Sequence, residues 1–256
     1  MTSIQYLRSI INGYLTTPLL LLPITPAYQA VTPILRAWGN NFIDDIKISG
    51  SNAKGTAIAG VADLDLFISL HSHTLNSYTL AQLFISLENY LLKSMYIPRK
   101  QNVSIRINYL GTEVDIVPAV KFAGNSNDHW LHVRKSGQDR IKTNINTHIN
   151  RVVQSGRIEE IKLTKIWRKL NNLDFPSIYL EETVISCLNG HQVGAIDNNF
   201  WKVLEYLSNS FPNARIIDPS NGANIISNDL NQSEKNLIKS AAKFSRTQKY
   251  WKYIVW

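Results

Sequence analysis

The chain has 256 residues, 44% apolar and 18% charged, which suffices for one large domain or two small ones and excludes global disorder. Its single cysteine, Cys187, excludes an internal disulfide, no Cys/His set has the spacing of a zinc site, and a reducing, cytoplasmic compartment is expected. The net charge of +8 and a pI near 9.5 suit a partner rich in phosphate.

Residues 1–40 read as mainly helical, with breaks at Pro18, Pro23, Pro26 and Pro33. The run Pro18-Leu-Leu-Leu-Leu-Pro-Ile is far shorter than the roughly 20 residues a membrane helix needs. It starts too late and is too proline-broken for a signal peptide, so a core-packing segment and no membrane span are expected. Asp45 to Ser49 alternates like a strand and stops at Gly50-Ser51, and Leu64 to Leu70 reads as a second strand. Residues 79–94 carry Leu80, Leu83, Phe84, Leu87 and Leu91 at helical spacing. Val103 to Tyr109 and Glu113 to Pro118 read as two strands joined by a turn at Leu110-Gly111. Residues 145–171 read as one long helix with alternating basic and apolar positions, and 178–189, 198–208 and 232–249 as further helices. Pro212 to Ala223 reads as a loop. The expected fold is α+β, with a sheet-containing domain over residues 1–140 and a helical domain over 141–256.

The stretch from Gly50 through Asp65 is the informative one. Gly50 and Ser51 follow a strand and precede small residues that open a helix. Glycine lets backbone approach a phosphate closely, turn amides and a hydroxyl bind its oxygens, and Lys54 adds positive charge. Asp63 and Asp65 are two apart on a strand, so both carboxylates take one face while Leu64 and Leu66 take the other. Two carboxylates this close repel unless a cation sits between them, and magnesium prefers such oxygen ligands beside a phosphate cradle. A third carboxylate, Asp115, is flanked by apolar residues in Val114-Asp-Ile-Val-Pro. With its strand beside the Asp63–Asp65 strand, the three carboxylates hold two metal ions.

Gly50-Ser51 through Asp63-Leu-Asp65, together with Val114-Asp-Ile-Val-Pro, resembles the polymerase-β-like nucleotidyltransferase superfamily. The similarity is greatest to bacterial cGAS/DncV-like nucleotidyltransferases, which are oligoadenylate-synthase-like, and to archaeal-type CCA-adding enzymes. It implies a mixed-sheet nucleotidyltransferase domain followed by a helical nucleotide-binding domain. It implies Asp63, Asp65 and Asp115 as catalytic metal ligands for two Mg²⁺ or Mn²⁺ ions, with Gly50, Ser51 and Lys54 on the nucleotide. Ile161-Lys-Leu-Thr-Lys-Ile-Trp-Arg-Lys is similar to the helix that carries a lysine to the triphosphate, which implies Lys165. Ser177-Ile-Tyr-Leu-Glu-Glu resembles the segment contacting the incoming nucleotide, which implies Ser177 and Tyr179. His148 resembles a histidine of the CCA-adding group, and Asp218-Pro-Ser-Asn resembles a late loop of the helical region.

The activity so implied joins NTPs into a cyclic or linear oligonucleotide second messenger of the antiphage type, with a regulatory or effector protein as partner. The alternatives are tRNA CCA addition or other RNA 3′-end nucleotidyl transfer, nucleotidylation of a protein or small molecule, and a catalytically silent nucleotide-binding module. One catalytic and one helical domain, with little chain left over, favour the synthase. The intact Asp triad disfavours the silent module.

Overall fold

The computed structural model of the chain describes residues 1–124, 127–134 and 139–256. In chain order the elements are α1 (Ser3–Gly13), α2 (Pro26–Gly39), β1 (Ile43–Ile48), α3 (Gly50–Ala53), β2 (Leu64–Leu70), α4 (Leu80–Lys93), β3 (Arg99–Lys100), β4 (Ile105–Tyr109) and β5 (Thr112–Lys121). They continue with β6 (His129–His132), β7 (Arg140–Thr143), α5 (Ile145–Gln154), α6 (Ile158–Leu170), α7 (Ser177–Cys187), α8 (Ile196–Asn209) and α9 (Gln232–Ser245). The fold is α+β, with a mixed sheet. No helix among the described residues is long and apolar enough to cross a membrane.

Two compact units form. One holds Thr17–Lys54 and Asp63–Ile149; the other holds Met1–Thr16, Gly55–Ala62 and Asn150–Trp256. The division expected from sequence, 1–140 and 141–256, differs in three short segments: residues 141–149 stay with the sheet unit, and 1–16 and 55–62 leave it. Helix α1 and residues 55–62 join the helical unit, because Leu7, Ile11 and Ile58 are buried in one apolar cluster with Ile161, Trp167, Phe200 and Leu204.

In the sheet unit the strand order is β1-β2-β5-β4-β3, with β6 pairing the far end of β5 and β7 pairing β6. The β2–β5 pair is parallel; β5 runs antiparallel to β4 and β6. Strand alternation divides the side chains cleanly. Leu64, Leu66, Ile68 and Leu70 of β2, Ile105 and Ile107 of β4, and Val114, Ile116 and Val120 of β5 share one buried cluster with Val31 and Leu35 of α2 and Leu83, Phe84, Leu87 and Leu91 of α4. Each such side chain contributes about 1.5–3 kcal/mol on burial, so this face anchors the sheet. The opposite face carries only a small apolar cluster, Phe67, Ala119 and Leu131, and the same alternation places Asp65, Arg106 and Asp115 there.

Four sequence expectations are revised. Pro26 opens α2 rather than breaking a helix, at the position where its missing N–H costs nothing. Pro33 lies inside α2 on its exposed side, where water can serve the carbonyl left without a donor. The leucine run forms a short 3-10 turn, Leu19–Ile24, in which Leu22 is buried but Leu19 and Leu21 are exposed, so it packs less than expected. The long helix over 145–171 is two helices, parted by Gly156 at φ +67 and by the Ser155 hydroxyl, which donates to the Val152 carbonyl and accepts from Arg157 N. Strands β3, β6 and β7 had no reading in the sequence.

His129 of β6 is buried against Phe67, and its Nδ1 donates to the Asn127 carbonyl at 2.9 Å. Its Nε2 faces Ser69 Oγ at 2.8 Å. Burial holds its pKa below the ordinary imidazole value, with Lys121 and Lys47 acting in the same direction and Asn127 and Asp44 opposing. The unfolded chain therefore binds a proton that the folded chain refuses once pH drops below about 6.5. Stability should fall as pH is lowered from 7 through that value, and His129→Gln should flatten the decline. Thermal midpoints at pH 5 to 8 for both proteins measure it; parallel curves would remove His129 as the cause.

Candidate active site

The site begins where β1 ends. Ser49 N donates to the Asp65 carbonyl at 2.9 Å, and Asn52 Nδ2 donates to the Asp63 carbonyl at 2.8 Å, so the turn after β1 is latched to the start of β2. Gly50 sits at φ +59, and a Cβ there would overlap the Asp65 carboxylate. Only glycine allows that approach. Ser51 is half-buried in the single helical turn α3, and Lys54 is buried at its end. Gly50→Ala is expected to lower stability by about 1–3 kcal/mol and to displace Asp65, read as a drop in the urea midpoint.

Asp65 of β2 and Asp115 of β5 are directly paired across the parallel strands, and Asp115 is paired with Arg106 across β5–β4. Asp63 stands one residue before β2. The Arg106 guanidinium gathers the carboxylates. Its Nη2 donates to Asp63 Oδ2 and Asp115 Oδ2, both at 2.6 Å; its Nε donates to Asp115 Oδ1 at 2.8 Å; its Nη1 donates to Glu113. Gln101 Nε2 also reaches Asp115 Oδ1 at 3.4 Å. Burial raises the Asp63 carboxyl above its ordinary pKa; Arg106 opposes this, while Asp115 and Glu113 reinforce it. Arg106 thus faces three carboxylates, one of which, Glu113, is shared with Arg99.

Of the other predicted residues, Lys165, Ser177, Tyr179 and Asp218 belong to the helical unit and His148 to the sheet unit. Lys165 of α6 is 2% exposed, and its Nζ donates to Glu181 Oε1 at 2.7 Å and Thr56 Oγ1 at 2.8 Å. Thr56 Oγ1 in turn donates to Glu181 Oε1 at 3.0 Å. Ser177 is the exposed first residue of α7, and its Oγ accepts from Arg168 Nη1 at 3.3 Å. Tyr179 is wholly buried between Phe175 and Phe211, and burial pushes its phenol above the usual range. His148 lies half-buried on α5. Asp218 is buried, with Oδ1 accepting from Ser220 N and Oγ and Oδ2 accepting from Asn224 Nδ2, so it organises its own loop.

No protein-family model matches the sequence, and no curated protein matches it. Solved structures do match. Escherichia coli MS115-1 CdnC with ATP is 20% identical, with 95% of this chain and 90% of that one covered at a TM-score of 0.75. The same CdnC in complex with HORMA-deltaN is 19% identical over 94% and 88% of the two chains, TM-score 0.73. The Elizabethkingia meningoseptica CdnE cyclic dinucleotide synthase with GTP and Apcpp is 14% identical over 100% of both chains, TM-score 0.68. The fold is that of these CdnC and CdnE structures.

Within this fold the structure brings Gly50, Asp63, Asp65 and Asp115 together in one unit and places Lys165, Ser177 and Tyr179 in the other. Sequence reasoning missed Arg106, Glu113, Thr56 and Glu181. Arg106 carried one signal, its alternation with Ile105 and Ile107, which sets it on the opposite face from those buried residues. Among the described residues no three His, Cys, Asp or Glu side chains are arranged as ligands of one ion. Asp63 and Asp115 close on a guanidinium instead. That group stands in for a cation, and the donors around it are hard carboxylate oxygens, so the chemistry of the set fits Mg²⁺ or Mn²⁺.

Proposed function

We propose that the chain is a metal-dependent nucleotidyltransferase that joins NTPs into a cyclic or linear oligonucleotide second messenger of the antiphage-signalling type. The observation that carries the reading is the direct pairing of Asp65 with Asp115 on adjoining parallel strands, beside a glycine turn that only glycine can make. The likeness to CdnC with ATP and to a CdnE cyclic dinucleotide synthase supports it.

Asp63, Asp65 and Asp115 would hold the divalent ions, which would lower the pKa of the attacking ribose hydroxyl and neutralise charge on the triphosphate. Gly50 brings its backbone close to a phosphate, and the Ser51 hydroxyl and the Lys54 ammonium bind phosphate oxygens. Asp115 accepts or steers the hydroxyl proton as that oxygen bonds to the α-phosphorus and pyrophosphate departs. Lys165 serves the triphosphate or the segment that follows Lys54. Ser177 contacts the nucleotide, while Tyr179 supports the start of α7 from within the core. A regulatory protein partner is part of the same proposal, on the likeness to a CdnC bound to a HORMA protein.

The test is incubation with all four NTPs and Mg²⁺ or Mn²⁺, followed by mass spectrometry of the small-molecule fraction. An oligonucleotide product that disappears with Asp65→Asn supports the synthase. Product that forms only when RNA is added would replace it with RNA 3′-end transfer.

A further inference from the structure

The Arg106 side chain spends its donors in an uneven way. Both oxygens of Asp115 and one of Asp63 are taken by Nε and Nη2, while Nη1 alone is turned to Glu113. The first three oxygens belong to carboxylates that the proposed function assigns to the divalent ions. Glu113 does not. The guanidinium therefore competes with a divalent cation for the same lone pairs, and like-charge repulsion makes the two occupants mutually exclusive at contact distance. It also has a second carboxylate already in hand.

The strand register makes this arrangement a built one. Arg106 is the cross-strand partner of Asp115, and Glu113 lies two residues before Asp115 on the same face of β5. Ile105 and Ile107, wholly buried on the opposite face, fix the direction in which Arg106 leaves its strand. Arg99 of β3 reaches Glu113 as well, at 3.1 Å, so Glu113 is anchored without drawing on Asp63 or Asp115.

We infer that Arg106 is an internal competing cation: it holds Asp63 and Asp115 together before a divalent ion is bound, and it yields both carboxylates to that ion while keeping Glu113. The inference rests on the metal-dependent reading above. Arg106 acts here as a positioning residue. It prevents the carboxylates from repelling one another in the ion-free chain and makes ion binding an exchange of cations rather than a simple addition. Because the exchange releases a guanidinium, apparent ion affinity is set partly by Arg106 and not only by the three aspartates.

The experiment measures Mn²⁺ affinity by electron paramagnetic resonance of the free ion, on wild type, Arg106→Gln, Arg106→Lys and Asp63→Asn, with thermal midpoints in EDTA and in saturating Mn²⁺. Arg106→Gln is expected to bind Mn²⁺ at least tenfold more tightly, to melt earlier in EDTA, and to gain more from Mn²⁺ than wild type does. Arg106→Lys keeps the charge but loses the fork that spans two carboxylates, so it should also bind several-fold more tightly, which separates competition from net charge. Equal or weaker Mn²⁺ affinity in both folded Arg106 variants overturns the inference and leaves the metal reading standing. Absence of Mn²⁺ binding in folded wild type and in Arg106→Gln, or binding unaffected by Asp63→Asn, overturns the metal reading itself.

Discussion

Asp65→Asn should abolish nucleotidyl transfer while leaving the protein folded. The amide keeps the shape that nestles against Gly50, and Asp65 lies on the sheet face away from the helix-packed core, so stability should change by no more than about 1 kcal/mol. The chemistry should not survive so lightly. Metal-ion charge stabilisation is worth several kcal/mol in a transferring phosphoryl group, and each ~1.4 kcal/mol is a factor of ten, so a loss of at least about 10³-fold in pyrophosphate release is expected. Asp63→Asn should behave alike in turnover. Circular dichroism and urea unfolding report the fold, and pyrophosphate release reports the reaction. Wild-type turnover in a folded Asp65→Asn protein would end the assignment of Asp65 to the chemistry.

The second large effect concerns Lys165. Its ammonium and the Glu181 carboxylate are 2% and 1% exposed, and Thr56 bridges them. Removing one partner of a buried ion pair strands the other charge away from water, which costs about 3–5 kcal/mol. Lys165→Ala should therefore lower the urea-unfolding free energy by about that amount. The double change Lys165→Met with Glu181→Leu should recover most of it, because an apolar pair of similar volume needs no charge compensation. A Lys165→Ala protein as stable as wild type would mean that water reaches the pair. If the stable double variant is also inactive or has lost NTP affinity, Lys165 serves the nucleotide as well as the fold.

The sequence made the core of the site legible and hid its partners, for a physical reason. Alternation in Leu64–Leu70 is a local property, so the strand and the turning of Asp65 away from Leu64 and Leu66 could be read from spacing alone, while Asp63 stands one residue before the strand. Asp115 was legible because a carboxylate between Val114 and Ile116 contradicts its surroundings. Arg106 occupies an equally alternating strand, but its meaning lies in the register of β4 against β5, which no local pattern encodes. The same holds for α6. Lys162, Lys165, Arg168 and Lys169 recur at helical spacing and read equally well as a solvated face. The approach of Glu181, on the next helix, and of Thr56 turns Lys165 inward. The break at Gly156 was missed because a single glycine between two helical patterns looks like an interior residue until its positive φ is known.

The helical unit takes its parts from both ends of the chain: Leu7 and Ile11 of α1 are buried with Ile161, Trp167, Val255 and other residues beyond 150. During synthesis, α1 emerges ahead of the rest of its unit, and apart from residues 55–62 its packing partners emerge about 150 residues later, a delay on the order of ten seconds at ordinary translation rates. Over that interval the apolar face of α1 has no permanent home. The sheet unit, whose residues all lie between 17 and 149, can close its core in the meantime. Helix α1 is thus buried well after it is made, and the nascent chain must keep it from the wrong partners until then.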